Sequence, residues 1–341
     1  MNTSKTIRER RTIRRFNASP VPQELILSLL HEAASLYEAE GSFSWRCIYY
    51  DTLESRQRLA NSMIAKIKDS SLGKLIPGKM TELLTKQAVN IPAHLVFIAE
   101  AADTPRQRDQ NYAAVCSIMQ NLQLLGWEHE LGMLWYTDPM LTNPSFLDEI
   151  GLQVGERFAG ILHIGYFDKT PKARKRTPAE RNWTVMSGGD TLPSHQSQVS
   201  PQAILELLNE AVWAPNDGLR EPWRFIYVAG GEAVDKLRNP AGDAASSLLL
   251  LVAKEESDNH KQEEDYGAVC CLIQNFQLLA RAKPWQVHRL LPEWVYDQQR
   301  CQTFGIRPQE RIVAVLELGL GEDTMNSSLP QTPQALNIRQ L

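Results

Sequence analysis

Apolar residues recur at helical spacing in two distant segments of the chain. Each segment is followed by a turn region and then by a short apolar and aromatic run, at residues 46–50 in the first case and 224–228 in the second. This order predicts a helix, a loop and a strand in both places. The apolar positions of the two predicted helices are Leu25, Leu29, Leu30 and Ala33 in the first, and Ile204, Leu207, Leu208 and Ala211 in the second.

The pattern continues in the same order after both of these strands. A second predicted strand, a long apolar helix and a closing strand follow in turn. They lie at residues 94–100, 112–125 and 158–166 in the first series, and at residues 248–255, 266–279 and 312–320 in the second. A charged and polar stretch at residues 51–90 is also predicted to be helical, and the second series has a shorter connection at that point.

The two series are copies of one sequence. Residues 21–50 align without a gap on residues 199–228, at an offset of 178, and residues 112–127 align on residues 266–281 at an offset of 154. A repeat of this length corresponds to two whole domains rather than to solenoid units. Because few strands alternate with helices in each copy, the sequence predicts one α+β fold that occurs twice. The smaller second offset predicts that a helical element is trimmed from the second copy.

A segment rich in proline, glycine, serine and basic residues joins the copies at residues 168–200. This composition is typical of an extended linker. We place the domain boundary near Gly188, which gives a first half at residues 1–187 and a second half at residues 188–341.

Composition and charge argue against several classes of protein. The chain of 341 residues is long enough for two domains that each bury a core. Its net charge of −4 argues against a nucleic-acid-binding protein, which needs a basic face. Cys116 and Cys270 lie in apolar helical runs, so packing is expected rather than disulfide bonding. The apolar runs are too short to span a membrane, the N-terminus lacks an apolar signal region, and the histidines lack metal-ligand spacing. A cytoplasmic protein without a metal site is predicted.

Three polar segments are candidates for chemistry. Residues 8–16 (RERRTIRRF) could present several arginine donors to one phosphate group, or could form a solvated basic surface. Residues 172–176 (KARKR) are by themselves typical of a solvated linker. Residues 214–223 (APNDGLREPW) have, taken alone, ordinary turn chemistry.

Taken together, these segments resemble the nitroreductase family of flavoproteins. That family has an RRS-x-R-x-F segment before a Pro-Val-Pro turn, and this chain has RRTIRRF at residues 10–16 with Pro-Val-Pro at residues 20–22. The family's A-P-S-x-x-N-x-Q-P-W loop corresponds to residues 214–223. The chain departs from that pattern at Asn216, Leu219 and Glu221, where the family has Ser, Asn and Gln. Residues 131–137 (LGMLWYT) resemble the family's G-x-G-x-x-W-type turn after the long helix, and residues 174–178 resemble its basic R-x-P tail.

The resemblance implies a dimeric fold, with a central and mostly antiparallel sheet flanked by helices, and FMN in the interface. Arg10, with Arg174 or Arg176, would hold the FMN phosphate, and Arg11 would assist. Thr12 would form a hydrogen bond with the ribityl or pyrimidine side of FMN. Arg14 would lie near N1 and the C2 carbonyl, where its charge would raise the reduction potential. The other implied cofactor-binding residues are Trp135, Thr137, Pro215, Asn216, Asp217 and Leu219.

Each copy retains a different part of the implied site. In the alignment, Tyr37, Glu38 and Gly41 replace the loop residues Pro215, Asn216 and Leu219, and Glu38 would repel a flavin. The arginines of the first copy correspond to glycine, leucine, serine and proline in the second, and Trp135 corresponds to Arg289. We therefore predict a fused pseudo-dimer with one FMN per chain. Because the family's dimer interface would lie inside the chain, a monomer is expected.

The implied activity is that of an FMN-dependent NAD(P)H oxidoreductase. A hydride would pass from NADPH or NADH, by a ping-pong mechanism, to a nitroaromatic, a quinone or a related small-molecule acceptor. No motif residue is an obvious general acid or base. Three alternatives stay open: a flavin-binding or flavin-sequestering protein with little turnover, a specialised reaction such as flavin fragmentation or dehydrogenation of a peptide-derived ring, and a non-flavin structural or interaction module.

Overall fold

A computed structural model of the chain describes residues 2–38, 41–69, 78–187, 199–229, 247–321 and 337–341. Among these residues, no helix combines the length and the apolar character needed to cross a membrane. The α-helices are α1 (Thr3–Glu9), α2 (Gln23–Ser35), α3 (Leu53–Asp69), α4 (Gly78–Val89), α5 (Pro105–Glu128), α6 (Pro144–Glu149), α7 (Pro201–Ala211), α8 (Asn259–Ala280) and α9 (Gln298–Thr303).

Local sequence explains where the main helices begin. The Thr104 hydroxyl accepts a hydrogen bond from the Gln107 N–H at 3.1 Å, and Pro105 occupies the first turn of α5. Ser200 caps α7 in the same way at 3.2 Å, again followed by proline. Asp258 caps α8 at 3.1 Å. Such residues satisfy backbone N–H groups that have no partner inside the helix.

The described strands form two five-stranded sheets. In each sheet one edge strand runs parallel to its neighbour and the other pairs are antiparallel. The first sheet has the order β10 (Ile338–Gln340), β1 (Trp45–Tyr50), β2 (Ala93–Ala99), β4 (Arg157–Tyr166) and β3 (Leu131–Tyr136). The second sheet has the order β5 (Trp183–Ser187), β6 (Trp223–Ala229), β7 (Ser247–Lys254), β9 (Glu310–Leu320) and β8 (Trp285–Leu290).

The two halves of the chain exchange edge strands. β5 comes from the end of the first half and pairs with β6 of the second, with Trp183 opposite Phe225. β10 comes from the end of the second half and pairs with β1 of the first, with Ile338 opposite Cys47. An added edge strand satisfies backbone N–H and C=O groups of its neighbour. Each sheet is therefore completed by the other half.

The long helices α5 and α8 join the two halves. α5 packs on the first sheet, α8 packs on the second, and the two helices pack on each other. Between them, Gln120 Nε2 donates to Asn275 Oδ1 at 2.8 Å. A single hydrophobic cluster continues from one half into the other. The two sheets thus share this cluster, and each sheet also contributes to a smaller cluster of its own.

Equivalent ion pairs brace the two sheets. Arg46 binds both carboxylate oxygens of Glu156, at 2.9 and 2.6 Å. Arg224 binds Glu310 with the same two distances, 2.9 and 2.6 Å. A two-point contact of this kind combines charge with fixed geometry. These residues also correspond in the sequence alignment, so the copies agree in side-chain detail.

The structure confirms the predicted helices and strands that lie in the described residues, and it corrects two predictions. The segment predicted to be an extended linker contains a 3₁₀ helix, Ala179–Asn182, and strand β5. Residues 131–137, predicted as a turn, contain strand β3, because they pair with β4 along the sheet edge. The predicted boundary at Gly188 lies outside the described residues, as does the segment at 230–246 that would show the trimmed element.

Candidate functional site

The arginine segment follows α1 and is fixed to the edge of the first sheet. Thr12 forms a parallel bridge with Met133 of β3, and the Ile13 N–H donates to the Met133 carbonyl at 3.0 Å. Gly132 permits this approach, because a Cβ atom there would lie only 2.5 Å from Cγ1 of Ile13. The backbone of the segment is therefore positioned by β3.

Arg10 is a buried cation with unused donors. The residue is 5% exposed, and its Nε and Nη1 atoms have no hydrogen-bond partner among the described residues. Burial, together with the positive charges of Arg176 and Arg11, lowers the pKa of Arg10 to about 10. Burying an unpaired charge is unfavourable. An anion would both neutralise this group and accept its hydrogen bonds.

Two further arginines lie beside one tryptophan ring of the second half. The guanidinium carbons of Arg11 and Arg176 are 5.7 and 5.4 Å from the ring centroid of Trp213. Burial lowers the pKa of both arginines. The cluster of Arg10, Arg11 and Arg176 thus gathers positive charge where the two halves meet.

The loop at residues 214–223 has unusual backbone conformation. Leu219 and Glu221 have φ angles of 60° and 48°, a region that residues other than glycine rarely adopt. Each such residue costs about 1–3 kcal/mol, and such strain is concentrated at functional sites. The Asn216 side chain supports the loop by accepting from the Glu221 N–H at 3.2 Å. The Glu221 carboxylate in turn accepts from the Thr177 N–H at 3.1 Å, which ties the loop to the residues after Arg176.

Thr137 is connected to this loop through α8. Its hydroxyl donates to Glu264 Oε1 at 2.6 Å, and the other oxygen of Glu264 accepts from Arg220 at 3.0 Å. Arg220 also pairs with Asp265 at 2.9 Å. Burial raises the pKa of Asp265 to about 6, although Arg220 opposes the shift. This network joins the end of β3 in the first half to the loop in the second.

Trp135 links the same strand to α8. Its Nε1 donates to the Ala159 carbonyl at 2.9 Å. A Cβ atom on Gly267 would lie 3.2 Å from Cη2 of Trp135, so the indole rests against α8 where the helix has no side chain.

The structure joins part of the predicted set across the two halves: Arg11 and Arg176 lie beside Trp213, and Thr137 is linked through Glu264 to the loop. Arg176, rather than Arg174, is the residue of the basic tail that lies beside Arg10 and Arg11. Arg14, Arg174 and Asp217 are exposed, while Thr12, Pro215 and Leu219 are partly buried.

At the repeat-equivalent positions, where the second copy faces the first, two large side chains are buried beside each other. Arg289, at the position of Trp135, is 6% exposed and donates to the Ser117 hydroxyl at 3.0 Å. Its guanidinium carbon lies 5.7 Å from the ring centroid of Tyr37, which stands at the position of Pro215. The adjoining segment is held at the end of α8, because Arg281, directly after the helix, pairs with Glu38 at 3.0 Å. The two locations are therefore different in structure as well as in sequence.

Several residues of this region are outside the predicted set, and three of them, Trp213, Glu264 and Asp265, also lie outside the three polar segments that the sequence singled out. Trp213 precedes the loop motif, and Glu264 and Asp265 lie near the start of α8. One sequence signal was available for the last of these, since Asp265 replaces Asn111 of the first copy and so adds a charge at a repeated position. In the described ranges, no cluster of three or more His, Cys, Asp or Glu residues could hold a metal ion.

Known proteins of one family match this chain. The sequence model of the nitroreductase family matches residues 7–166. The putative NAD(P)H nitroreductase YfhC of Bacillus subtilis (strain 168) is 35% identical over 184 residues, which make up 53% of this chain and 92% of that protein.

Solved structures are also similar over about half of the chain. A nitroreductase-like family protein from Bacillus cereus is 34% identical, with a TM-score of 0.48, over 53% of this chain and 94% of that chain. The FMN- and NADPH-dependent nitroreductase NfnB from Sphigopyxis sp. strain HMH is 17% identical, with a TM-score of 0.41, over 51% of this chain and 96% of that chain. Since 92% of YfhC is matched at 35% identity, the chain belongs to the nitroreductase family.

Proposed function

We propose that this chain is an FMN-dependent NAD(P)H oxidoreductase with a single FMN between its two halves. Membership of the nitroreductase family supports an oxidoreductase, and the similarity to YfhC supports NAD(P)H as the electron donor. The observation that carries the proposal is the buried guanidinium of Arg10, with its two unpaired nitrogen atoms.

A phosphate group suits the arginine cluster. Besides the two atoms of Arg10, Nε of Arg11 is a buried donor without a partner among the described residues. A phosphate dianion would accept charge-assisted hydrogen bonds from these donors and would relieve the repulsion between the arginines. We assign Arg176 to the phosphate in preference to Arg174, because Arg176 is partly buried beside Arg10 and Arg174 is exposed.

The remainder of FMN would be bound by residues of both halves. Thr12, Trp135 and Thr137 lie on or beside β3, and Pro215, Asn216, Asp217 and Leu219 lie in the strained loop. FMN itself would supply the capacity to accept and pass on a hydride, so that donor and acceptor alternate in a ping-pong sequence. The role of the protein is to bind and orient the cofactor, and the positive charge of Arg14 would raise its reduction potential.

A stoichiometry of one FMN per chain is supported by the difference between the two locations. The buried side chains of Arg289 and Tyr37 occupy the second location. The matching strand orders and the exchanged edge strands support a nitroreductase-like fold that occurs twice, as a fused pseudo-dimer. A monomer is expected, because the contact between α5 and α8 is already made within the chain. A cytoplasmic location stays a prediction.

Two measurements test the proposal. Flavin absorbance per mole of purified chain should give a ratio of one after saturation with FMN. A ratio of two would contradict the single site, and no binding of added FMN would refute the flavin assignment. Oxidation of NADPH and of NADH should then be followed with a nitroaromatic and a quinone as acceptors. A rate no higher than that of free FMN would favour a flavin-sequestering protein over an enzyme.

A further inference from the structure

Trp213 of the second half contacts two arginines of the first half. The guanidinium carbons of Arg11 and Arg176 lie 5.7 and 5.4 Å from the centroid of its ring. We propose that Trp213 is a positioning residue, which holds these two arginines in place for the phosphate group of FMN. This inference rests on the proposed function, because it concerns the phosphate-binding part of the same site.

Backbone carbonyl groups direct the same two guanidinium groups. Arg176 Nε donates to the Val212 carbonyl at 3.2 Å, immediately before the tryptophan. Arg11 Nη1 donates to the carbonyls of Arg8 and Arg10, at 2.6 and 2.9 Å. These acceptors are uncharged, so they orient the arginines without cancelling their positive charge. Glu221 attracts Arg176 and Glu9 attracts Arg11, but among the described residues neither carboxylate forms an ion pair with these arginines, so their charge stays available to an anion.

The indole ring of Trp213 counteracts the repulsion between like charges. Arg10, Arg11 and Arg176 carry like charges that repel one another, and long side chains would move apart in the absence of an anion. An aromatic face attracts a guanidinium group without neutralising it, and tryptophan is the most effective of the aromatic residues. Trp213 therefore keeps two of the three charges in position before phosphate binds. Such preorganisation lowers the ordering cost of binding.

The repeat supports a role tied to the arginines. Ser35 stands at the position of Trp213 in the first copy, where it is exposed at the end of α2. In the second copy, the positions equivalent to Arg11 and Arg176 are glycine and proline, so no arginine pair is available to contact residue 35. An aromatic residue required only to pack the end of this helix would be expected in both copies. Instead, it is present only beside the positive charges.

Flavins with and without a phosphate group separate this role from a general structural one. Dissociation constants for FMN and for riboflavin should be measured on the full-length chain by flavin fluorescence. In Trp213→Leu, FMN affinity should fall about tenfold to a hundredfold, the loss expected for two cation–π contacts, while riboflavin affinity should stay unchanged. Trp213→Phe keeps an aromatic face and should recover most of the FMN affinity. Trp294→Leu is the matched control, because that partly buried tryptophan lies 5.4 Å from Arg300, outside the site, and its loss should change neither constant.

The outcomes are distinct. A loss of FMN affinity that is specific to Trp213→Leu and recovered by phenylalanine supports the inference. An equal loss for FMN and riboflavin, or no loss for either, overturns it and leaves the proposed function standing. Failure of the unaltered chain to bind FMN overturns both.

Discussion

Replacing Arg10 by methionine should change stability and cofactor binding in opposite directions. The flavin-free chain should become more stable, because the substitution removes a buried charge whose Nε and Nη1 atoms have no partner among the described residues. FMN affinity should fall, because the same atoms are the proposed phosphate ligands. A residue whose presence costs stability and serves binding shows such a trade-off between stability and function.

The size of both effects can be worked out. Lowering the pKa of Arg10 from its ordinary value to about 10 corresponds to about 3 kcal/mol. Since both pKa values lie well above neutral pH, this destabilisation is complete at pH 7 and would disappear only as the pH rises through about 10 toward the ordinary pKa of arginine. Methionine retains much of the apolar packing of the arginine stem, so we expect a gain of about 1–3 kcal/mol. Two charge-assisted hydrogen bonds at about 1.5–3 kcal/mol each correspond to a loss of FMN affinity of at least about a hundredfold.

Urea unfolding of the flavin-free chain and FMN titration measure the two effects. Arg46→Met serves as the control, because Arg46 is paired with Glu156 and lies in the first sheet. That change leaves a buried carboxylate without its partner, so it should destabilise the chain by about 3 kcal/mol and leave FMN affinity unaffected. If Arg10→Met destabilised the flavin-free chain as Arg46→Met does, the guanidinium would not be an uncompensated charge, and the reasoning would fail.

Three other changes have defined outcomes. The Nδ1 atoms of His94 and His163 lie 2.6 Å apart, and burial lowers the pKa of His163 to about 3 from an ordinary 6.5. The free energy of unfolding should therefore reach its full value above pH 6.5 and fall as the pH decreases below it, by about 2 kcal/mol at pH 5 for His163 alone. Urea unfolding across this range should show this pH dependence in the unaltered chain and should no longer show it when both histidines are replaced by leucine. Deleting residues 337–341 removes the strand paired with β1 and should lower the thermal midpoint, and an unchanged midpoint would contradict a stabilising role for the exchanged strand. Asp109→Ala should lower the free energy of unfolding, measured with urea, by about 3 kcal/mol, because the carboxylate pairs with both Arg157 and Arg311, at 2.9 and 2.7 Å. A decrease below about 0.5 kcal/mol would show that these ion pairs do not stabilise the fold.

Local pattern was sufficient for elements whose signals lie within their own residues. The helix predicted at residues 112–125 is the buried middle of α5, which extends from Pro105 to Glu128. The strands β2 and β7 were visible as continuous apolar runs because they are buried in the middle of their sheets. In these cases the core imposes an apolar pattern that the sequence displays directly.

Elements defined by a distant partner were not predictable. β5 lies in a segment rich in proline, glycine and serine, and β10 has only three residues. Each is a strand because an open sheet edge in the other half accepts it, and neither carries an apolar alternation of its own. The pairing of His94 with His163 has the same character, because it follows from the register of β2 on β4. Residue patterns within a few positions do not contain this information.

The candidate site also has some features that the sequence predicts and others that it does not. The family resemblance grouped Arg10 and Arg11 with Arg174 or Arg176, because the family's motifs are read from residue types alone. They did not distinguish the buried Arg10 from the exposed Arg14, because burial depends on what packs above each side chain. Trp213 was not predicted for a related reason, because its proposed role depends on contacts with residues of the other half.

The difference between the two locations follows from the proposed fusion. In a homodimer with twofold symmetry, any substitution appears in both subunits, so arginine at the position of Trp135 would alter both cofactor sites at once. In a fused chain, Arg289 alters only one. There its guanidinium is buried against Ser117, Cys270 and the ring of Tyr37, at the location where the proposed homodimer would have its second cofactor. Each copy would then be free to lose what the other supplies, and the half that lacks the proposed phosphate-binding arginines would need no cofactor at its own location.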